Sequence, residues 1–261
     1  MKIEIIYRHV HKKHENRSRD PSKIRPSWFS YELCFHSLLN SLHHSKTLED
    51  LRFRLNVVYD GPTADLESDW IYEYLQRANQ SRTYLVNGGS NAESWKYALS
   101  LGLTKDDTHL GSDIIYFVEN DYFHRPEWAL SVAEVADYLD NGHYLSLYDH
   151  ADKYLYESYK ELTAKVMVST SCHWRTTPST CGTFMAKRST ISDDVSVWLT
   201  MADHAGFMSL SQTKSRQLIT PIPGLNTHCM AGLLSPCINW TLEVSKLLQT
   251  DLPRQFTWNN F

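Results

Sequence analysis

The sequence lacks an excess of positive charge and any long hydrophobic run. Its 26 Lys and Arg residues are outnumbered by 30 Asp and Glu residues, which gives a net charge of -4. This balance argues against a general nucleic-acid-binding protein, although a local basic patch is compatible with it. Because no stretch of about 18 apolar residues occurs, we expect no transmembrane segment. The short apolar run at the N-terminus predicts a strand rather than a signal peptide, so we expect a cytoplasmic protein with at most peripheral membrane contact.

Several cysteine and glycine patterns that define enzyme and scaffold classes are also missing. The sequence contains no P-loop, GxGxxG, HExxH or GxSxG motif. The sequence therefore lacks the motifs that would identify a kinase, a dehydrogenase, a zinc protease or an α/β-hydrolase. The cysteines are odd in number and form no CxxC pair, which is typical of reduced thiols rather than of a disulfide framework. They are Cys34, Cys172, Cys181, Cys229 and Cys237.

Short apolar runs alternate with segments of helical periodicity, a pattern typical of an α/β fold with a mainly parallel sheet. The absence of a linker predicts one domain over residues 1–261, with a regular first lobe and a more mixed second lobe. The predicted strands are residues 3–7, 53–59, 83–86, 114–118, 144–148, 166–170, 183–186 and 207–210. The predicted helices are residues 28–44, 65–78, 90–101, 126–139 and 192–204.

The apolar run at residues 114–118 is followed at once by Glu119, Asn120 and Asp121. Ligands of open α/β sheets bind at the carboxyl ends of the strands. Residues two apart in extended backbone point to the same side, so the two carboxylates are expected to converge. Hard oxygen ligands suit Mg²⁺ or Mn²⁺ bound to a substrate phosphate. An exposed acidic turn is the alternative, but the buried strand before it favours a metal site.

Two further acidic groups are candidates for proton transfer. Asp193 and Asp194 open a predicted helix, where a carboxylate that is ionised at neutral pH can accept the proton of a hydroxyl group. Acidic residues are also common helix caps, because a helix N-terminus stabilises negative charge. Asp149 follows the strand predicted over residues 144–148 and is the reserve candidate for the base.

A late histidine and an early basic segment complete the candidates. His228 lies in a segment bounded by Pro and Gly, and it is either a metal or diphosphate ligand or a packed structural histidine. Residues 11–26 carry six Lys or Arg and two Asp or Glu residues. This segment follows the first strand and is either a diphosphate-binding loop or a solvated one.

The segment DIIYFVENDYFHRPEW resembles the part of GT-A-fold glycosyltransferases in which an apolar strand ends in the DxD metal motif, here present as ExD. Two other segments are similar to family-2-like members of that group. SDDVSVWLTMADHAGF resembles their ED motif and the helix after it, and NGGSNAESWKYALSLGL resembles the helix beside the donor. The order of the motifs, with Asp60 in VVYDGP first and His228 last, is more specific than any one of them.

The resemblance implies a role for each candidate. Asp121 would be the main metal ligand, assisted by Glu119 and His228, and the metal would be Mn²⁺ or Mg²⁺. Asp194, with Asp193 beside it, would be the general base. The nucleotide-sugar site would comprise Arg8, Asp60, Asn87, Glu119, Asn120 and Asp121.

These implications predict a GT-A-like glycosyltransferase of polysaccharide biosynthesis. It would move a sugar with inversion from a UDP-, GDP- or dTDP-sugar to a hydroxyl group of a glycan or lipid-linked glycan. About residues 1–121 would hold the nucleotide sugar, and residues 122–261 would hold the acceptor. Two alternatives stay open: a metal-dependent sugar-phosphate nucleotidyltransferase and a non-catalytic nucleotide- or carbohydrate-binding protein. The first usually has a Gly-rich loop after its first strand, whereas residues 9–26 contain no Gly. ExD in place of DxD keeps the second open.

Overall fold

A mixed sheet of nine strands forms the centre of the computed structural model, which describes residues 1–11, 24–104, 114–250 and 253–260. Strands in these ranges are β1 (Lys2–Val10), β2 (Arg52–Asp60), β3 (Arg82–Val86), β4 (Ile114–Glu119), β5 (Tyr122–His124), β6 (Tyr144–Leu145), β7 (Val166–Val168), β8 (His173–Thr177), β9 (Phe184–Lys187), β10 (Leu218–Ile222) and β11 (Asn226–His228). Helices are α1 (Tyr31–His44), α2 (Trp70–Arg77), α3 (Asn91–Leu103), α4 (Trp128–Ala133), α5 (Ala136–Asp140), α6 (Asp152–Leu155), α7 (Arg188–Asp193), α8 (Val195–Trp198), α9 (Asp203–Lys214) and α10 (Trp240–Gln249).

The strand order places the ends of the first four strands together. The large sheet has the order β3-β2-β1-β4-β9-β6-β10-β8-β7, and β5 pairs with β11 in a small second sheet. β1 pairs in parallel with both β2 and β4, and β2 pairs in parallel with β3. The register sets Arg8 beside Glu119 and Val10 beside Asp60. The carboxyl ends of these strands therefore form one edge, as the α/β prediction requires.

Helices cover both faces of the sheet because its strands are apolar on both sides. In β1, Ile3, Ile5 and Tyr7 join the core under α1, whereas Ile6 joins the core under α3. Burial of each such side chain contributes about 1.5–3 kcal/mol, so the two layers hold the strands in place. The predicted α/β architecture with a mixed sheet between helices is confirmed. The large sheet crosses the predicted boundary near residue 121, since β4 pairs with β9.

Several predicted elements of the second half are wrong. The strand predicted over residues 207–210 lies within α9, where Phe207 and Leu210 are spaced by one helical turn and share the core under α3. The helix predicted over residues 192–204 is divided among α7, α8 and the start of α9. The strand predicted over residues 144–148 is only two residues long as β6, and β10 and β11 were not predicted.

Two further structural facts bear on the sequence predictions. Across the described ranges, no helix is both long enough and apolar enough to cross a membrane. The five cysteines are free. Cys34 and Cys229 are nevertheless brought together, with their buried sulfur atoms 3.6 Å apart. This contact joins α1 to the residue that follows His228.

Candidate functional site

Arg8 and Glu119 form the first part of the candidate site, at the carboxyl ends of β1 and β4. Their side chains are joined by an ion pair of 2.9 Å, because the parallel register places the two residues side by side. Arg8 also donates to the Asn91 side chain at 2.8 Å and lies over the Trp95 ring. Glu119 is thus held by a protein cation, and Arg8 is fixed from α3 on its other side. Both were predicted at the nucleotide-sugar site, and the structure places them together.

Asp121 and His228 form the second part. They are 107 residues apart in sequence, but the Nε2 atom of His228 lies 3.0 Å from a carboxylate oxygen of Asp121. The pairing of β11 with β5 causes this contact, because it sets His228 beside Tyr122, and the two rings stack at 5.0 Å. Burial lowers the pKa of His228, but the charge of Asp121 and a hydrogen bond with Cys181 outweigh burial and raise this pKa well above its usual value.

Arg25 makes a second ionic contact with Asp121, at 2.8 Å, and donates to the carbonyl oxygen of Cys229. It belongs to the basic segment that the sequence suggested for a diphosphate. Residues 12–23 of that segment lie outside the described residues. The guanidinium group of Arg25 occupies one side of the Asp121 carboxylate, so a metal ion bound to that carboxylate oxygen would have to displace Arg25.

Cys181 was not predicted at the site, yet it lies between two histidines. It interacts electrostatically with His150 and His228, and His150 is itself paired with Asp152 at 2.8 Å. Burial acts to raise the pKa of the Cys181 thiol, but the two histidine contacts outweigh it and lower this pKa to about 6. Its neighbour Gly182 packs against the Glu119 carboxyl group, where an added Cβ would lie 3.2 Å from that group. The β8–β9 connection thereby brings a thiol to the ExD turn.

Asp203, the first residue of α9, is the most informative residue that the sequence reasoning missed. It lies within electrostatic reach of Glu119, Cys181 and Arg8. Burial, followed by the negative charges of Glu119 and Cys181, raises its pKa to about 7. A cavity of about 480 Å³ opens beside it, lined by His150, Asp152, Lys153, Ser179, Thr180, Cys181, Ala202, Asp203, His204 and Ala205. A carboxyl group that titrates near neutral pH beside a cavity is suited to proton transfer.

Asp60 and Asn87 lie at the end of β2 and in the turn after β3. An Asp60 carboxylate oxygen accepts hydrogen bonds from the backbone N–H groups of Gly88 at 3.0 Å and Gly89 at 3.4 Å. Gly89 has a φ of +66°, which favours glycine at that position. Asp60 therefore shapes the turn, whereas Asn87 is exposed on it. Both remain at the sheet edge where the nucleoside was predicted.

The three predicted catalytic carboxylates lie elsewhere. Asp194 is completely buried and accepts hydrogen bonds from Tyr144 at 2.7 Å, Lys214 at 2.7 Å and Arg216 at 3.0 Å. Asp193 is exposed and lies 3.5 Å from the same arginine. These contacts assign Asp194 a structural role in joining α7 to the end of α9, and the structure does not bring it together with the ExD turn.

Asp149, the reserve candidate for the base, is also engaged. Its carboxylate is buried and accepts hydrogen bonds from Arg175 at 2.8 Å and from the Tyr154 hydroxyl group at 2.8 Å. Burial raises the pKa of Asp149, and the charge of Arg175 opposes this shift. Asp149 therefore orients Arg175 and Tyr154 and is not placed to receive a substrate proton.

The donor atoms present test whether a divalent metal fits. Among the residues with described structure, no three His, Cys, Asp or Glu side chains form a metal-binding group. Of the three predicted ligands, Asp121 and His228 are in contact, whereas Glu119 is directed to Arg8 and Asn120 is part of the turn. A carboxylate and a neutral imidazole fit two positions of a Mn²⁺ site in which substrate phosphates supply others, whereas Mg²⁺ prefers oxygen ligands alone.

The helix start in the sequence could have indicated Asp203. Asp203 in MADHAGF is an acidic residue of the kind that is favourable at a helix start, as are the acidic residues of SDDVSV. The choice between the two depended on which helix begins at the sheet edge, and local sequence does not carry that information. Cys181 had no comparable local pattern.

The site belongs to an α/β sheet protein with an acidic and histidine-containing edge, and its fold is similar to that of a solved structure. No protein-family model matches the sequence, and no curated protein matches it. The structure is similar to a protein assigned as a Bacillus anthracis glucose-1-phosphate thymidylyltransferase, crystallised with sucrose. That likeness has a TM-score of 0.50 and 10% identity and covers 97% of this chain and 98% of that one. At this identity, the likeness shows a shared fold alone.

Two glycosyltransferases are more loosely similar. S. aureus TarS 1-349 matches with a TM-score of 0.44 and 14% identity, over 97% of this chain and 67% of that one. An active-site variant of the galactosyltransferase LgtC matches with a TM-score of 0.49 and 13% identity, over 96% and 97% of the two chains. A longer TarS chain is covered only to 30%. These TM-scores are too low to support an argument about function.

Proposed function

We propose that this protein is a glycosyltransferase that uses a nucleoside-diphosphate sugar as its donor. The observation that carries the proposal is the contact of Asp121 with His228 at the carboxyl end of β4. The two residues come from distant parts of the chain. Arg25, which pairs with Asp121, and the separate Arg8–Glu119 pair line the same edge. An edge with this concentration of cationic and metal-ligating groups suits a diphosphate.

Each group at the edge has a part in binding the donor. The turn ordered by Asp60 receives the nucleoside, and Arg8 is held by Glu119 and Asn91 at the edge where the diphosphate would lie. Arg25 becomes available to the diphosphate when it is released from Asp121. A divalent metal would be held by Asp121 and His228, and when bound it would neutralise charge on the departing nucleoside diphosphate. Binding of the metal requires His228 to lose its proton and Arg25 to leave the Asp121 carboxylate.

Asp203 replaces Asp194 as the proposed general base. Asp203 borders the cavity next to Glu119, whereas Asp194 is enclosed by three hydrogen-bond donors. The Asp203 carboxylate takes the proton of the acceptor hydroxyl group as the hydroxyl oxygen attacks the anomeric carbon of the donor. The bond from that carbon to the diphosphate oxygen breaks in the same step, and a single displacement inverts the configuration.

The direct test is release of a nucleoside diphosphate from a panel of UDP-, GDP- and dTDP-sugars, measured with and without Mn²⁺. We expect one nucleotide class to be turned over by the wild-type protein, and Asp121→Asn to lower the rate by about 10²-fold or more. Release of pyrophosphate from a nucleoside triphosphate and a sugar 1-phosphate would instead identify a nucleotidyltransferase. A thermal shift with nucleoside diphosphates, but no turnover of any donor, would identify a binding protein.

A further inference from the structure

A second cavity, of about 430 Å³, lies next to the candidate site and is rich in tyrosine. Its lining includes Tyr154, Tyr156, Tyr159, Leu155, Lys153 and Arg175. Lys153 also lines the cavity of Asp203, so the two cavities are neighbours with one shared wall. Residues of α6 and of the turn after it line most of the tyrosine-rich cavity. His150 lies just before α6, and Asp152 is its first residue. The tyrosine-rich cavity therefore adjoins the proposed site for proton transfer.

Two of the three tyrosine rings, Tyr154 and Tyr159, are held in place by neighbouring cationic side chains. Tyr154 is 53% exposed and Tyr156 is 52% exposed. The Tyr154 hydroxyl group is anchored on Asp149, and the Arg175 guanidinium carbon lies 5.0 Å from the centre of its ring. The Lys153 ammonium group lies 4.3 Å from the centre of the Tyr159 ring. Rings fixed in this way lose little conformational entropy when a ligand stacks on them.

The cationic groups of the cavity are neutralised within the protein. Lys153 is paired with Asp152 at 2.9 Å, Arg175 with Asp149 at 2.8 Å, and Lys160 with Glu157 at 3.1 Å. The first two pairs are largely buried. A ligand at this surface therefore meets aromatic faces and balanced charges rather than an uncompensated positive field. This balance favours a neutral ligand over an anionic one.

We propose that the tyrosine-rich cavity binds a neutral oligosaccharide, which is the acceptor of the transfer. Sugar rings have apolar C–H faces that stack on tyrosine and hydroxyl groups that bind polar side chains at the rim. An acceptor seated there lies on the other side of the Lys153 side chain from the cavity that contains Asp203. The acceptor role rests on the proposed function, whereas binding of a neutral saccharide is measurable without it.

The test is binding of the purified protein to an array that carries both neutral and anionic oligosaccharides. We expect the wild-type protein to bind neutral glycans, Tyr154→Ala and Tyr156→Ala to weaken this binding about tenfold or more, and Tyr154→Phe to retain it. Leu248→Ala is the matched control, because Leu248 on α10 is 65% exposed and lies outside the cavity lining. Thermal melting of each variant establishes that it is folded.

The outcomes separate this inference from the proposed function. If the protein releases nucleoside diphosphate but binds no neutral glycan, the saccharide site alone is overturned. The same holds if glycan binding survives both alanine variants. Binding of anionic glycans only also overturns it, as does a self-association that Tyr154→Ala abolishes while no glycan is bound. Binding of neutral glycans with no donor turned over leaves the saccharide site standing and removes the acceptor role.

Discussion

Replacement of Asp203 by Asn separates the two candidate bases. Asn has nearly the shape of Asp but cannot accept a proton, and Asp203 contacts the cavity rather than a set of internal donors. A positioned general base contributes about 10²–10⁴-fold to a rate. We expect Asp203→Asn to lower kcat for transfer by that factor, with little change in the Kd of the nucleoside diphosphate.

Asp194→Asn is the matched control with the opposite expectation. The Asp194 carboxylate forms ion pairs with Lys214 and Arg216 and is completely buried. The two cations keep partial access to water, so the loss is expected at about 2–4 kcal/mol, somewhat below the roughly 3–5 kcal/mol for breaking a fully buried pair. At about 2–4 °C per kcal/mol for a domain of this size, the melting temperature falls by roughly 4–16 °C. Below that temperature, kcat is expected to stay within about threefold of wild type.

The pH dependence supplies a second readout of Asp203. Because its folded-state pKa is raised from 3.8 to about 7, the ionised base is present only above that pH. With Mn²⁺ at saturation, so that the bound metal keeps His228 deprotonated, kcat for transfer is expected to rise about tenfold per pH unit below pH 7 and to level off above it. The raised pKa also means that the stability contributed by protonated Asp203 is present below pH 3.8 and is lost as the pH rises through 7. Asp203→Asn should therefore melt higher than wild type at pH 8.

The assay is nucleoside diphosphate release, with acceptor or with water as acceptor, from pH 5 to pH 9. Binding of the diphosphate is measured in parallel by calorimetry. If Asp203→Asn keeps the wild-type kcat and pH profile while Asp194→Asn loses turnover without losing stability, the assignment of the base from the structure is refuted.

Four further changes test the roles of residues and metal at the site. Arg25→Gln removes the positive charge that is paired with Asp121, so calorimetry should find that Mn²⁺ binds several-fold more tightly. An unchanged Mn²⁺ affinity would show that Arg25 does not compete with the metal. Removal of divalent metal by a chelator should abolish turnover until Mn²⁺ is restored, and turnover that is insensitive to the chelator contradicts the metal role. His228→Ala should weaken the thermal shift that Mn²⁺ causes in the wild-type protein. Asp60→Ala frees the Gly88 and Gly89 N–H groups and should raise the Kd of the nucleoside diphosphate about tenfold, whereas an unchanged Kd would place the nucleoside elsewhere.

The first half of the fold was accessible to sequence reasoning because β1, β2 and β4 are runs of 9, 9 and 6 mostly buried residues. β1, β2, β3 and β4 contain the strands predicted at residues 3–7, 53–59, 83–86 and 114–118. In the second half, β6 has two residues and β11 has three, too short for a periodic pattern. Phe207 and Leu210 illustrate the error, because four residues with two apolar positions fit a strand or a helix equally well.

The sequence by itself determined that an acidic turn follows a buried strand, because a run of apolar residues and the polar turn that ends it are local properties of the chain. Only the tertiary structure decided which distant groups meet that turn. The pairing of β11 with β5 brings His228 to Asp121, and the break between α8 and α9 places Asp203, rather than Asp194, within reach of Glu119. Both aspartates stand at helix boundaries, and their roles differ because one borders a cavity whereas the other is enclosed by its own hydrogen-bond donors.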